Sequence, residues 1–157
     1  MENNILTPKS YEIISVTHET NHEYTFRVAT DIVPEHGQFL QLSLPKIGEA
    51  PISVSGFGLG YMDFTIRSVG KVTDELFKLQ SGDKIFLRGA YGKGWPVEKF
   101  KNKNLIIIAG GTGVAPVRSM INKFYIEEDY VKSLSLIFGF KDIDSILFKP
   151  ELDKWRE

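Results

Sequence analysis

The chain has 157 residues, a net charge of −1 at pH 7, 42% hydrophobic and 25% charged content, and no cysteine. Such a composition fits one globular domain, or one small domain with part of another, without nucleic acid as a partner, and no apolar run is long enough to cross a membrane. Lacking thiols, the chain by itself makes no disulfide, iron-sulfur cluster or cysteine-based zinc site. The opening Met1-Glu-Asn-Asn lacks a basic and then apolar leader pattern, so a cytoplasmic location is expected. His18, His22 and His36 fall in loops and strand ends without carboxylates at ligand spacing, which predicts surface positions and no metal.

In chain order, residues 11–16 open a series of short strands broken by turn signals. Tyr24, Phe26 and Val28 alternate with Thr25 and Arg27; Leu40, Leu42 and Leu44 alternate with Gln41 and Ser43. Met62, Phe64 and Ile66 alternate with Asp63, Thr65 and Arg67, so each strand has one buried face. With residues 50–55 and 84–89 these make about six antiparallel strands, a number that closes on itself and removes exposed edges. Between the fifth and sixth, a short helix is predicted over 73–79, capped by Thr73 with Asp74 and Glu75 in its first turn.

Residues 100–104 read as a polar hinge, beyond which the pattern changes to a strand at 105–109, a helix at 117–127 and a strand at 134–138. A third short apolar run at 145–148 and a helix start at Pro150 follow. The expected architecture is a six-stranded antiparallel barrel over residues 1–100 and the first part of a Rossmann-like nucleotide-binding domain over 101–157. So few parallel strands with one full helix cannot cover both faces of a sheet, so a longer polypeptide is expected to complete the second domain.

The strand-to-helix junction of that second domain carries the chemistry. Leu105-Ile-Ile-Ile-Ala-Gly-Gly-Thr-Gly-Val-Ala-Pro116 is an apolar strand running into a glycine turn. The helix after it is amphipathic, with Val117, Met120, Ile121, Phe124 and Tyr125 on the inner face and Arg118, Asn122 and Lys123 on the outer side. Gly110, Gly111 and Gly113, with Thr112 between them, let the backbone approach an anion at the positive end of the helix dipole, and Pro116 has no amide to leave unpaired. A nucleotide pyrophosphate is the expected ligand; the bland alternative is a tight turn. Proline stands where the dinucleotide fingerprint has its third glycine. After the second strand, Lys141 would attract a 2′-phosphate while Asp142 and Asp144 would repel it, so NADH is expected over NADPH.

A barrel followed by this turn resembles the ferredoxin-NADP reductase superfamily, and further segments match in order. Pro51-Ile52-Ser53 resembles the family's fourth-strand stretch beside the flavin ring, which implies that Ser53 lies near the redox-active nitrogen. Ala50 stands where the family has an arginine on the flavin phosphate, and Ile52 where it has a stacking aromatic. Ile66-Arg67-Ser-Val-Gly70-Lys-Val-Thr73 is similar to the flavin pyrophosphate loop, implying phosphate contacts from Gly70 and Thr73, with Arg67 as a further candidate. Leu87-Arg-Gly-Ala-Tyr-Gly-Lys-Gly-Trp95 is similar to the barrel-closing turn, and Gly110 to Gly113 to the nicotinamide pyrophosphate turn. Taken without the family, these segments are an edge strand, a capped helix, and a hairpin whose Trp95 plugs the barrel end.

Within the superfamily, Glu49-Ala-Pro-Ile-Ser-Val-Ser55 is most similar to B subunits of anaerobic sulfite reductases, followed by electron-transfer subunits of dihydroorotate dehydrogenases. The resemblance implies FAD in the barrel and NADH, or NADPH, in the second domain. Hydride would pass between the two coenzymes with no side-chain acid or nucleophile. Electrons would leave to a catalytic reductase subunit and an iron-sulfur carrier, with a two-iron, two-sulfur cluster only in a carboxy-terminal extension. Two other readings stay open: a stand-alone NAD(P)H-flavin reductase and a non-enzymatic docking module.

Overall fold

The structure is a computed structural model that describes residues 6–156; Met1-Glu-Asn-Asn, read above as lacking a leader pattern, lies outside them. Strands β1 (Lys9–His18), β2 (Glu23–Ala29), β3 (Phe39–Leu44), β4 (Gly48–Gly58), β5 (Tyr61–Arg67) and β6 (Lys84–Tyr91) close into a barrel in the order β1-β2-β5-β4-β3-β6. The alternating apolar residues fill it: Phe26, Val28, Leu40, Leu42, Met62, Phe64, Ile66, Ile85 and Leu87 form one buried cluster. Closure removes the sheet edges that a chain with exposed strands would have to protect.

Helix α1 (Lys71–Leu76) closes one end of the barrel by burying Leu76 in that cluster. It begins earlier and ends earlier than its sequence pattern predicts. Gly70 is the cap residue and Thr73 the third helical residue, because the Thr73 hydroxyl folds back onto the loop before the helix instead of standing at its head.

The barrel is closed unevenly. Residues 48–53 of β4 pair with β3, while pairing with β5 covers only 54–58, after a register shift between Val54 and Gly56. The first half of β4 therefore faces the Thr65–Arg67 end of β5 without a shared ladder, and α1 starts at the mouth of that gap.

In the second lobe, β7 (Asn104–Gly110) and β8 (Ser133–Gly139) lie parallel, with α2 (Ala115–Ile126) packed on one face through Ile107, Met120, Ile121 and Phe124. Ile106, Ile108 and Ile137 are exposed on the other face. The hinge expected at 100–104 is only partly free, since Phe100 packs against this second core. The third apolar run adds no strand: Leu147 and Phe148 bury against Val114 and Ala115, beneath the glycine turn. Helix α3 (Lys149–Lys154) then begins, with Pro150 in its first turn as expected.

Close packing at the β4 shift joins the two lobes. A Cβ at Gly56 would lie 2.9 Å from Asp63 Oδ2 and 3.1 Å from Arg118 Nη1, the groups that bridge barrel and α2. Gly56→Ala is therefore expected to destabilise the chain by about 1–3 kcal/mol, read as a lowered urea midpoint; an unchanged midpoint would show that the junction yields.

Candidate functional site

The glycine turn forms as its sequence suggests. Gly110 is extended, Gly111 takes φ 51, a left-handed conformation that favours glycine, and a 3₁₀ turn over Gly111–Val114 leads into α2. The first amides of such a helical run have no intrahelical acceptor. No side chain caps either the turn or α2, and no acidic residue stands in either first turn. Added Cβ atoms at Gly111 or Gly113 would meet nothing within 4 Å. The positive end of the helix thus opens onto free space, with Thr112 among its half-buried residues.

The candidate residues of the barrel divide among different surroundings. Pro51 is exposed, and Ile52 and Ser53 are half-buried, on the half of β4 that lacks a β5 partner. Ile66 is sealed inside the barrel at 1% exposure, so only its backbone faces the gap. The Arg67 side chain is 55% exposed and reaches Glu23 at 3.5 Å. Gly70 is extended, and a Cβ there would meet nothing within 4 Å.

Thr73 is already engaged. Its hydroxyl accepts the amides of Val69 at 2.9 Å and Gly70 at 3.0 Å and donates to the Gly70 carbonyl at 2.9 Å. That uses its one proton and both lone pairs. The hydroxyl braces the loop, leaving the Lys71 and Val72 amides of the first turn for a ligand. Two candidate places result, the uncapped glycine turn at the start of α2 and, beside α1, residues 48–53 of β4, which lack a β5 partner.

Three side chains that set these places relative to each other escape sequence reading. Arg118, expected on the outer side of its helix, is 12% exposed because the barrel and α3 cover that face. It contacts Asp63 at 3.4 Å, pairs with Glu151, and lies over the Phe148 ring at 4.6 Å. Trp95 does not plug the barrel; its indole lies over Gly37, and Nε1 donates to the Pro116 carbonyl at 3.0 Å. His36, expected at the surface, is half-buried between Phe57 and α2, with Nδ1 2.9 Å from Ser119 Oγ. His18 and His22 are exposed as expected.

The lobes also enclose a polar cleft of about 190 Å³ that includes Arg27, Asp63, Arg118 and Glu151. None of the sequence-selected site residues lines it. Among the described residues, no cluster of three histidines or carboxylates forms a metal site.

Comparison with solved structures settles the architecture. Ferredoxin-NADP+ reductase from Plasmodium falciparum superposes with a TM-score of 0.84 at 21% identity, covering 99% of this chain and 68% of that one. A ferredoxin NADP+ reductase from Neisseria gonorrhoeae gives 0.78 at 21% identity, over 93% and 63%. The fold is ferredoxin-NADP reductase-like. Residues 107–157 match the oxidoreductase NAD-binding domain family.

Among curated relatives, the gamma subunit of sulfhydrogenase 1 from Pyrococcus furiosus is 38% identical over 71% of this chain and 40% of its own length. The gamma subunit of sulfhydrogenase 2 from the same organism is 33% identical over 92% and 47%. The probable electron transfer subunit of its dihydroorotate dehydrogenase B (NAD(+)) is 31% identical over 83% and 48%. The chain spans less than half the length of these relatives.

Two outcomes are expected from this geometry. Gly113→Ala should leave thermal stability unchanged, since its methyl meets open space, while weakening NADH binding at least about tenfold if a dinucleotide phosphate packs on this turn; equal affinity by titration would mean that the dinucleotide lies elsewhere. Burial, and secondarily Lys123, holds the His36 imidazole below its ordinary value of 6.5, partly offset by Glu127. The unfolded chain then takes up a proton before the folded one, so stability falls as pH drops through 6.5 towards the folded-state value. His36→Gln should flatten that slope in urea melts; an identical slope would acquit His36.

Proposed function

We propose that the chain is the flavin-binding barrel, residues 1–100, and the leading part of the nicotinamide domain, residues 101–157, of an electron-transfer oxidoreductase subunit. One observation carries this reading: the same molecule has an uncapped glycine-lined helix entrance and, in the other lobe, a barrel strand that lacks one of its two neighbours over residues 48–53. Pro51, Ile52 and Ser53 line the ring, with Ser53 at its reactive edge. The backbone of Ile66 and Arg67 forms the opposite wall, and Gly70 and Thr73 shape the diphosphate end. Gly110, Gly111, Thr112 and Gly113 hold the pyrophosphate of the nicotinamide coenzyme.

When bound, FAD would supply the redox chemistry that links a two-electron nicotinamide donor to an onward acceptor. The chain contributes orientation and fixed dipoles, with no side chain acting as acid or nucleophile. The preference for NADH rests on Asp142 and Asp144 after β8. Ser145 bonds to the Asp142 carboxylate and keeps it below its ordinary value of 3.8, so it stays anionic where a 2′-phosphate would approach.

Relatives named as sulfhydrogenase gamma subunits and dihydroorotate dehydrogenase electron-transfer subunits support a catalytic reductase subunit as partner. The two-iron, two-sulfur cluster is assigned to sequence outside this chain, which has no cysteine. Residues 49–55 favour the anaerobic sulfite reductase form of this reading; the relatives favour the hydrogenase and dihydroorotate forms. Among the described residues no helix is long and apolar enough to cross a membrane, and a cytoplasmic setting is part of the proposal.

Chain purified in the presence of FAD should elute yellow, with close to one flavin per chain; a colourless eluate leaves only the docking module. Gly70→Leu supplies a sharper test, because the extended backbone accepts any residue and the new side chain fills only the cradle. The melting temperature should hold while FAD affinity drops about tenfold or more. Unchanged affinity places the diphosphate away from α1.

A further inference from the structure

The flavin reading leaves the diphosphate short of positive charge. Asp74 stands in the first turn of α1, Thr73 has taken two loop amides, and residue 50, on the half of β4 that lacks a β5 partner, is alanine. Arg67 has one long contact, 3.5 Å to Glu23, that does little to orient its exposed guanidinium, and Lys71 is exposed on α1.

A third cation is brought in from β6. Gln41 pairs with Arg88 on one side and Pro51 on the other, so Arg88 sits two strands from β4 on the outer face of the barrel. Its side chain crosses β3 to Glu49, with Nε donating to Oε2 at 3.0 Å and Nη2 to Oε1, while Nη1 donates to Tyr91 Oη at 3.1 Å. Gly48, next to Glu49, is covered by α1: a Cβ there would lie 3.2 Å from the Val72 methyl. The guanidinium is thus fixed at the end of β4 where α1 begins.

A guanidinium has five N–H donors, of which these contacts use three, leaving two for an anion. Between the strands, Gln41 Oε1 is buried without a donor, a fit for a ligand that carries hydroxyls as well as phosphate. Oriented donors in this fork geometry suit phosphate oxygens better than a flexible ammonium does. Resting on the flavin reading above, we propose that Arg88, held in place by Glu49 and Tyr91, is the cation that binds the phosphate groups of the flavin cofactor.

Fluorescence titration of the whole chain with FAD, FMN and riboflavin tests this, because only the first two carry phosphate. Arg88→Met should lower affinity for FAD and FMN about tenfold and change riboflavin affinity less than about twofold; Arg88→Lys should recover part of the loss. Arg67→Met should have the smaller effect. Retention of FAD affinity by Arg88→Met, an equal loss for riboflavin, or a phosphate preference carried entirely by Arg67 would overturn the assignment while leaving the flavin reading intact. Failure of the unmodified chain to bind any of the three would sink the flavin reading and this assignment with it.

Discussion

The arrangement of the two lobes depends on one buried carboxylate. Asp63 on β5 is 2% exposed, a position that is costly for a charge unless it is fully paired. Arg27 supplies two parallel bonds at 2.8 and 2.9 Å from within the barrel, and Arg118 reaches in from α2 at 3.4 Å. Moving α2 away would remove the Asp63–Arg118 contact and leave the buried Asp63 with Arg27 as its one cationic partner among the described residues. The helix that follows the glycine turn is therefore tied to the barrel by the same side chains that close β5 against β2. Gly56 has no room for a side chain because that pair occupies the space.

The two anion entrances are built by different means. At α2 the turn is open, lacks acidic neighbours and offers backbone amides alone. At α1 the loop satisfies part of its own hydrogen bonding through Thr73, so ligand space comes mainly from β4, which leaves β5 for half its length. A dinucleotide is held by its diphosphate at a helix dipole; a flavin needs a flat, strand-length wall for its ring. In the proposed reading each lobe offers the surface its cofactor would require, and the Asp63 junction ties the two lobes together.

Much of this was legible in the chain. Alternation along β2, β3 and β5 reports which side chains enter the barrel, since period two survives any local twist. Gly111, with its left-handed backbone, reports the tight turn before α2 because few other residues adopt that conformation. What escaped belongs to contacts between distant segments. Arg118 looks like a solvent-facing residue on its own helix, and only the fold places Asp63, Glu151 and Phe148 around it. His36 and Trp95 lie in loops without periodicity, so nothing local predicts that they meet Ser119 and Pro116. Thr73 fits an N-cap by residue type, yet its hydroxyl serves the preceding turn. Leu147 and Phe148 have the apolar character of a strand, but their length suits a plug beneath the glycine turn.

A crystal structure of the chain grown with FAD would test the central claim most directly. The account predicts the flavin ring between residues 48–53 of β4 and the Thr65–Arg67 end of β5, with its diphosphate over the first turn of α1 and the start of α2 left clear for a second coenzyme. Density for the flavin in the polar cleft at Arg27 and Glu151, or a β4 that zips onto β5 along its whole length and shuts the gap, would contradict it.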